Sequence, residues 1–94
     1  MTVNIKFLGV FKKTVGRDSI SLPIKAPKKL REVIMEITKS SPAFERVLID
    51  PELHDPRPNA IILVNGKEIS VLDGLETRLK DGDNVTLIPV THGG

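Results

Sequence analysis

Few side chains in this 94-residue chain can carry chemistry. Cysteine is absent, which excludes thiolate nucleophiles, disulfides, iron–sulfur clusters and thiolate zinc sites together. The two histidines are His54 and His92. His54 stands between Glu52 and Asp55, so one imidazole and two carboxylates could face a cation. Acidic neighbours around a lone loop histidine are common and no second histidine is near, so no metal ligand is assigned. His92 has an unperturbed pKa near neutrality and precedes Gly93-Gly94. That ending is the unusual feature. Consecutive glycines lose more conformational entropy on ordering than any other pair, so they add nothing to stability. They offer instead a slender arm with a free α-carboxylate, which a narrow enzyme channel can admit because no Cβ obstructs it. The plain alternative is a frayed terminus. The rest of the chain favours the arm.

The length makes one domain, burying somewhat over ~60% of the surface exposed when unfolded, enough for one modest core. With 39% hydrophobic residues and a net charge of +2, the composition is that of an ordinary globular protein. No apolar run approaches the ~20 residues of a membrane span, and the N-terminus carries no signal-peptide pattern. A cytoplasmic location with no membrane partner is the expectation. Charge is uneven: residues 1–47 carry +6 and residues 48–94 carry −4. Lys12, Lys13, Arg17, Lys25, Lys28, Lys29 and Arg31 make the first part basic. Without Tyr or Trp, and with three Phe in apolar settings, this reads as a solvated face and not as a direct nucleic-acid contact.

The elements that must hold the arm follow from periodicity. Val3 to Phe7 alternates with period two, burying Val3, Ile5 and Phe7, and Leu8 continues onto the exposed side. Lys12 to Asp18 reads as a polar reversal containing Gly16. Ser19 to Lys25 alternates again, and Pro23, lacking a donor, confines this second strand to a sheet edge. Pro27 suits the first turn of a helix whose stripe is Leu30, Val33, Ile34 and Ile37. Lys28 and Lys29 then oppose the helix dipole, a penalty of about 0.3–1 kcal/mol each that burial of the stripe outweighs. Ser40-Ser41-Pro42 ends the helix, and Phe44, Val47 and Leu48 fit a short further turn. Residues 50–59, with Pro51, Pro56 and Pro58, form a surface loop. Ala60 to Val64 is apolar throughout, as in a strand covered on both faces or partly covered by a partner. Asn65-Gly66 is a tight hairpin turn, followed by a short edge strand from Lys67 to Ser70. Leu75 and Leu79, four apart, suggest one helical turn. Asp81-Gly82-Asp83 is a turn into a last strand, residues 84–90, burying Val85 and Leu87.

One amphipathic helix among these strands predicts an α+β domain: a β-grasp, or ubiquitin-like, mixed sheet of four to five strands wrapped on one main helix. The first and last strands lie parallel at its centre. Residues 1–90 make the domain and 91–94 a flexible C-terminal tail ending in diglycine. Leu8 and Ile88 then face outward on adjacent strands among polar Asn4, Lys6 and Thr86. With Val90 they make the candidate partner-binding surface, the alternative being isolated surface hydrophobics.

The run Leu79-Lys80-Asp81-Gly82-Asp83-Asn84-Val85, the strand through Ile88-Pro89-Val90, and terminal Gly93-Gly94 resemble the ubiquitin-like sulfur carriers. That family includes the small subunit of molybdopterin synthase, the thiamine-pathway carrier and the ubiquitin-related modifier with its archaeal relatives. The resemblance spans nearly the whole chain and is most specific in the last sixteen residues. Ile88-Pro89-Val90-Thr91 looks like the molybdopterin type. His92-Gly93-Gly94 and the Arg57-Pro58 lead into the following strand look like the modifier. Thiamine-pathway carriers are usually shorter, which sets them furthest away.

The resemblance implies a substrate protein and no enzyme. A free carboxylate is a poor acyl donor, and the family remedy is a ubiquitin-activating-type adenylating enzyme that uses ATP to convert the Gly94 carboxylate to an acyl-adenylate. Attack by a persulfide, from a sulfurtransferase or similar donor, leaves a thiocarboxylate. Capture by a target-protein lysine gives an isopeptide bond instead. Thr91, His92 and Gly93 would enter the enzyme channel, with no bound cofactor and no catalytic residue of the chain's own. If Gly94 is the natural end, no maturation protease is needed. The first reading is a sulfur carrier and modifier serving tRNA thiolation or lysine conjugation. The second is the small subunit of molybdopterin synthase, used by a synthase partner in molybdenum cofactor biosynthesis. The third is a non-covalent β-grasp interaction module.

Overall fold

The structure is a computed structural model and describes residues 1–90. Strand β1, Thr2–Phe7, buries Val3, Ile5 and Phe7 and leaves Asn4 and Lys6 in solvent, as its alternation demands. Its antiparallel partner β2, Ser19–Pro23, is the sheet edge that Pro23 required. The connection between them differs from the expected polar reversal. Gly9–Val15 form a helix, α1, closed by Gly16 at φ 83°, whose N–H donates to Lys12 O at 2.8 Å. With Phe11 as its one fully buried side chain, α1 shows no apolar stripe to announce it. Tertiary packing holds it: Phe11 and Phe7 both meet Phe44 edge to face, with ring centroids 5.7 and 5.3 Å away.

Lys28–Lys29 form a two-residue strand, β3, and the main helix α2 starts later than Pro27 suggested, at Leu30–Lys39. The two lysines therefore precede the first turn, and each has an acidic partner: Lys28 with Glu36 and Lys29 with Glu76, both at 3.2 Å. Glu32 occupies that first turn and accepts from Lys29 N–H at 3.3 Å. The stripe Leu30, Val33, Ile34 and Ile37 is buried as predicted. Helix α3, Pro42–Leu48, begins at Ser41, whose Oγ accepts from Phe44 N–H at 3.3 Å, and buries Phe44 and Leu48. Residues 50–59 are a loop.

Strand β4, Ala60–Val64, turns through Asn65 (φ 52°) and Gly66 (φ 81°) into a two-residue β5, Lys67–Glu68, shorter than expected. A 3-10 turn over Ile69–Val71 follows at once. The expected helical turn joining Leu75 to Leu79 is split. Leu75 lies in a 3-10 turn, Gly74–Glu76, whereas Leu79 belongs to β6, Arg78–Leu79, which pairs with β3. Both leucines are buried. Strand β7, Asn84–Pro89, closes the chain's main sheet in the order β2-β1-β7-β4-β5. β1 and β7 are parallel at its centre. The architecture is the β-grasp: a five-stranded mixed sheet whose inner face covers α2, with α1 and α3 at one side.

Candidate functional site

Register decides which side chains share the open face. Phe7 lies opposite Leu87 in the parallel pair, and Ile88 lies opposite Ile61 in the antiparallel pair of β7 with β4. Val85 and Leu87 point into the core, so Thr86 and Ile88 point away from it. Leu8 follows β1 with extended dihedrals (φ −120°, ψ 160°) and its N–H donates to Leu87 O at 3.2 Å. It carries the alternation one step further and falls beside Ile88. Leu8, Ile88 and Ile61 thus run across three strands, with Leu63 opposite Thr86 completing the patch. Leu8, Ile88 and Leu63 are half-buried by their neighbours, and Ile61 is 43% exposed.

Ile61 and Leu63 were missed in the sequence. The apolar run over β4 left open a strand covered on both faces or one partly covered by a partner; within the chain only Ala60, Ile62 and Val64 reach the core. An alternation hidden inside a continuous apolar run leaves no period to count. The pairing with β7 resolves it, since Ile61 lies opposite outward-facing Ile88 and Leu63 opposite Thr86.

The opposite end of the same face is polar and self-satisfied. Ser21 Oγ donates to Asn4 Oδ1 at 3.0 Å, and Asn4 Nδ2 donates to Asn84 Oδ1 at 3.3 Å. Below it, Asp83 is only 5% exposed and ties the β4–β5 turn to its own turn before β7. Its carboxylate accepts from Asn65 Nδ2 at 3.0 Å, Lys80 N–H at 2.8 Å and Lys80 Nζ at 3.3 Å. Burial alone would raise this carboxyl, but the hydrogen bonds from Asn65 and Lys80, with the lysine charge, hold it below the ordinary carboxylate range. Asn65 Oδ1 in turn accepts from Asn84 N–H at 2.9 Å, which fastens the β4–β5 turn to the start of β7.

The apolar end leads to the chain terminus. Val90 is half-buried, and its N–H donates to Asn59 O at 3.0 Å. A small recess of about 180 Å³ beside it is lined by Arg57, Ile61, Glu68 and Gly74 among others. Arg57 is chelated there by Asp55, at 2.6 Å from Nη2 and 3.0 Å from Nε. These hydrogen bonds hold the Asp55 carboxyl low. Leu8, Ile88 and Val90 therefore all lie at the end of the sheet from which the arm departs. Thr91, His92, Gly93 and Gly94, the residues expected to do the work, lie outside the described residues.

The remaining candidates are dispersed. His54 is exposed with φ 53°, while Asp50 accepts from the N–H groups of Glu52 and Leu53, and Asp55 is paired with Arg57. Among the described residues no group of three or more His, Cys, Asp or Glu is placed to hold a metal ion. Of the basic residues named in the first part, Lys12, Lys28, Lys29 and Arg31 stand in ion pairs with Asp18, Glu36 and Glu76. No described helix is long and apolar enough to cross a membrane.

Comparison with known proteins places this geometry. The sequence model of the ThiS family matches residues 5–94. The chain belongs to the ThiS family. Small archaeal modifier protein 3 of Haloferax volcanii is 30% identical to it over 95 residues, covering all of both chains. Among solved structures, small archaeal modifier protein 1 of Methanosarcina acetivorans superposes with a TM-score of 0.84 at 28% identity, covering 99% of this chain and 96% of that one. Urm1 of Trypanosoma brucei gives 0.80 at 25% identity, covering 99% and 95%. This ThiS-family chain is thus one of the ubiquitin-like sulfur carriers and modifiers. The Haloferax volcanii relative, matched over its whole length, is named as a small modifier, and so is the Methanosarcina acetivorans relative.

Proposed function

We propose that this protein is a sulfur carrier and protein modifier energised at the Gly94 carboxylate. A partner enzyme grips the open face through Leu8, Ile61, Ile88 and Val90 and draws Thr91, His92 and Gly93 into a channel. The carboxylate oxygen attacks the α-phosphorus of ATP and pyrophosphate leaves, giving the acyl-adenylate. The terminal sulfur of a sulfurtransferase persulfide then displaces AMP and forms a C–S bond. A thiol attacks the sulfurtransferase's sulfur in the persulfide's own S–S bond, taking it up as a disulfide and releasing the thiocarboxylate. A lysine amine that displaces AMP at the same carbonyl gives the isopeptide bond. The acceptor is tRNA uridine, a protein lysine, or both.

The observation that carries this reading is the placement of the apolar end of the open face directly at the root of the diglycine arm. The full-length identity with an archaeal modifier supports it. A compact body with an apolar face near Val90, the last residue before the segment ending in diglycine, suits a substrate presented to other enzymes. Binding energy gained at the face can align a distant reacting group.

Incubation with ATP and the cognate adenylating enzyme tests it. Protein with Gly94 deleted is expected to melt at the same temperature as the full chain and to form no adenylate. Normal activation of the shortened chain would overturn the reading. Mass spectrometry of protein from its own cells should find a terminus heavier by the difference between sulfur and oxygen, or a lysine adduct through Gly94. Neither species would be found if the protein were a purely non-covalent β-grasp module.

A second reading is favoured by the Ile88-Pro89-Val90-Thr91 run: the small subunit of molybdopterin synthase, with its arm inserted into a larger catalytic subunit. Copurification with that subunit and restored molybdopterin synthesis would select it. Loss of wobble-uridine thiolation on deletion, or lysine adducts, selects the first.

A further inference from the structure

Where β7 ends, the chain is seated between two contacts. Gly9, the first residue of α1, has φ 52°, and a β-carbon built on it would lie 2.8 Å from Pro89 Cγ and 3.6 Å from Pro89 Cδ. The shorter distance is far inside van der Waals contact, so the proline ring occupies space that any other residue at position 9 would claim. On the other side, Val90 N–H donates to Asn59 O at 3.0 Å. Asn59 is itself pinned: its N–H donates to Pro56 O at 3.0 Å, and its Nδ2 donates to Leu48 O at 3.1 Å at the end of α3. Pro89 has a fixed φ of its own, so torsional freedom at this point is already reduced. Neither Gly9 nor Asn59 belongs to the buried core.

We propose that Gly9 and Asn59 are positioning residues that fix Pro89 and Val90, from which the carboxyl-terminal arm continues, relative to the Leu8–Ile88–Ile61 face. The inference rests on the proposed function. A partner that holds the open face must meet the Gly94 carboxylate at a defined place. The four residues after Val90 can reach at most about 14 Å, so a shift of Pro89 and Val90 moves the point from which that reach must meet the reacting centre. A misplacement of about 1 Å at a reacting centre can cost on the order of 100-fold in rate. The seat therefore acts on the rate of adenylate formation, and the face acts on binding.

Four proteins test this: wild type, Gly9→Ala, Gly9→Ala/Pro89→Ala, and Asn59→Ala. Adenylate formation by the cognate enzyme is followed by pyrophosphate exchange, and binding to that enzyme is measured without ATP. Gly9→Ala is expected to lower kcat by about tenfold or more while KM and ATP-free affinity stay within about threefold. Removing the ring in the double variant should return kcat to within about threefold of wild type, although residue 9 keeps its positive φ. Asn59→Ala should lower kcat by roughly three- to tenfold at constant KM, and it decides the matter if Gly9→Ala does not fold. Unchanged kcat in both single variants overturns the proposal, as does a loss that the double variant fails to restore or one confined to KM and affinity. Wild type that is never adenylated overturns the functional reading and this seat with it. Wild type that is adenylated while the variants match it overturns the seat alone.

Discussion

The two faces of the central sheet are built from the same strands, one residue apart, and serve opposite ends. On the inner face Val3, Ile5, Phe7, Ile62, Val85 and Leu87 are all but inaccessible to water. On the outer face Leu8, Ile61, Leu63 and Ile88 sit at one end, and the hydrogen-bonded Asn4, Ser21 and Asn84 sit at the other. A fold needs the first set. Nothing in its stability needs the second to be apolar, since a sheet of this class packs well with one polar, solvated face. The difference teaches that apolar residues beyond what the core can use are the ones to ask about function.

The comparison breaks most visibly at adjacent positions in β7. Leu87→Ala should lose about 2–5 kcal/mol of unfolding free energy, because it removes a fully buried side chain from a close-packed site. Denaturant unfolding would measure it, and a loss below about 1 kcal/mol would mean the inner face is not the core.

A smaller effect belongs to the polar lock beneath the sheet. Asp83→Ala should lose about 2 kcal/mol, by leaving Lys80 N–H and the Asn65 amide without their acceptor. The same residue gives the lock a pH signature. The folded Asp83 carboxyl is held below its ordinary value of 3.8, so its stabilisation is fully present above that pH and is lost as pH falls through the lower folded value. Acid titration of stability should therefore fall more steeply in wild type than in Asp83→Asn. Parallel curves would remove Asp83 from the account.

The smallest effect on folding, and the sharpest separation of the faces, is expected at the exposed end. Ile61→Asp should change stability by no more than about 1 kcal/mol, since the residue is 43% exposed. It should nevertheless weaken binding to the adenylating partner by about tenfold or more, as desolvating an unpaired charge in an apolar contact requires. Ile88→Asp should act in the same direction with a somewhat larger folding cost, because Ile88 is flanked by Ile61 and the end of β1. Calorimetric melting beside a binding isotherm would measure both. A variant that unfolds before it loses its partner would place these residues in the core after all.

The sequence carried much of this molecule because several segments state their geometry locally. Alternation in Val3–Phe7 and Asn84–Leu87 chooses an inward face, the α2 stripe has helical period, and Asn65-Gly66 supplies the positive φ values that its turn uses. The diglycine end needs no fold to be noticed, since only its composition is unusual. Helix α1 was hidden because one buried aromatic among Lys12, Lys13 and Thr14 makes no stripe; its place comes from Phe44, more than thirty residues away in the chain. The β3–β6 pair was hidden because two-residue strands have no measurable period.

What local pattern determined, then, was which residues face inward on β1, β7 and α2 and the chemical character of the chain's end. What only the assembled fold decided was adjacency: that Ile61 lies opposite Ile88, that Asp83 binds Asn65, and that Gly9 makes room for Pro89. The physical reason is that period and propensity act over a few neighbouring residues. Strand register and close approach instead depend on how distant segments share one core, which a run of residues cannot express by itself.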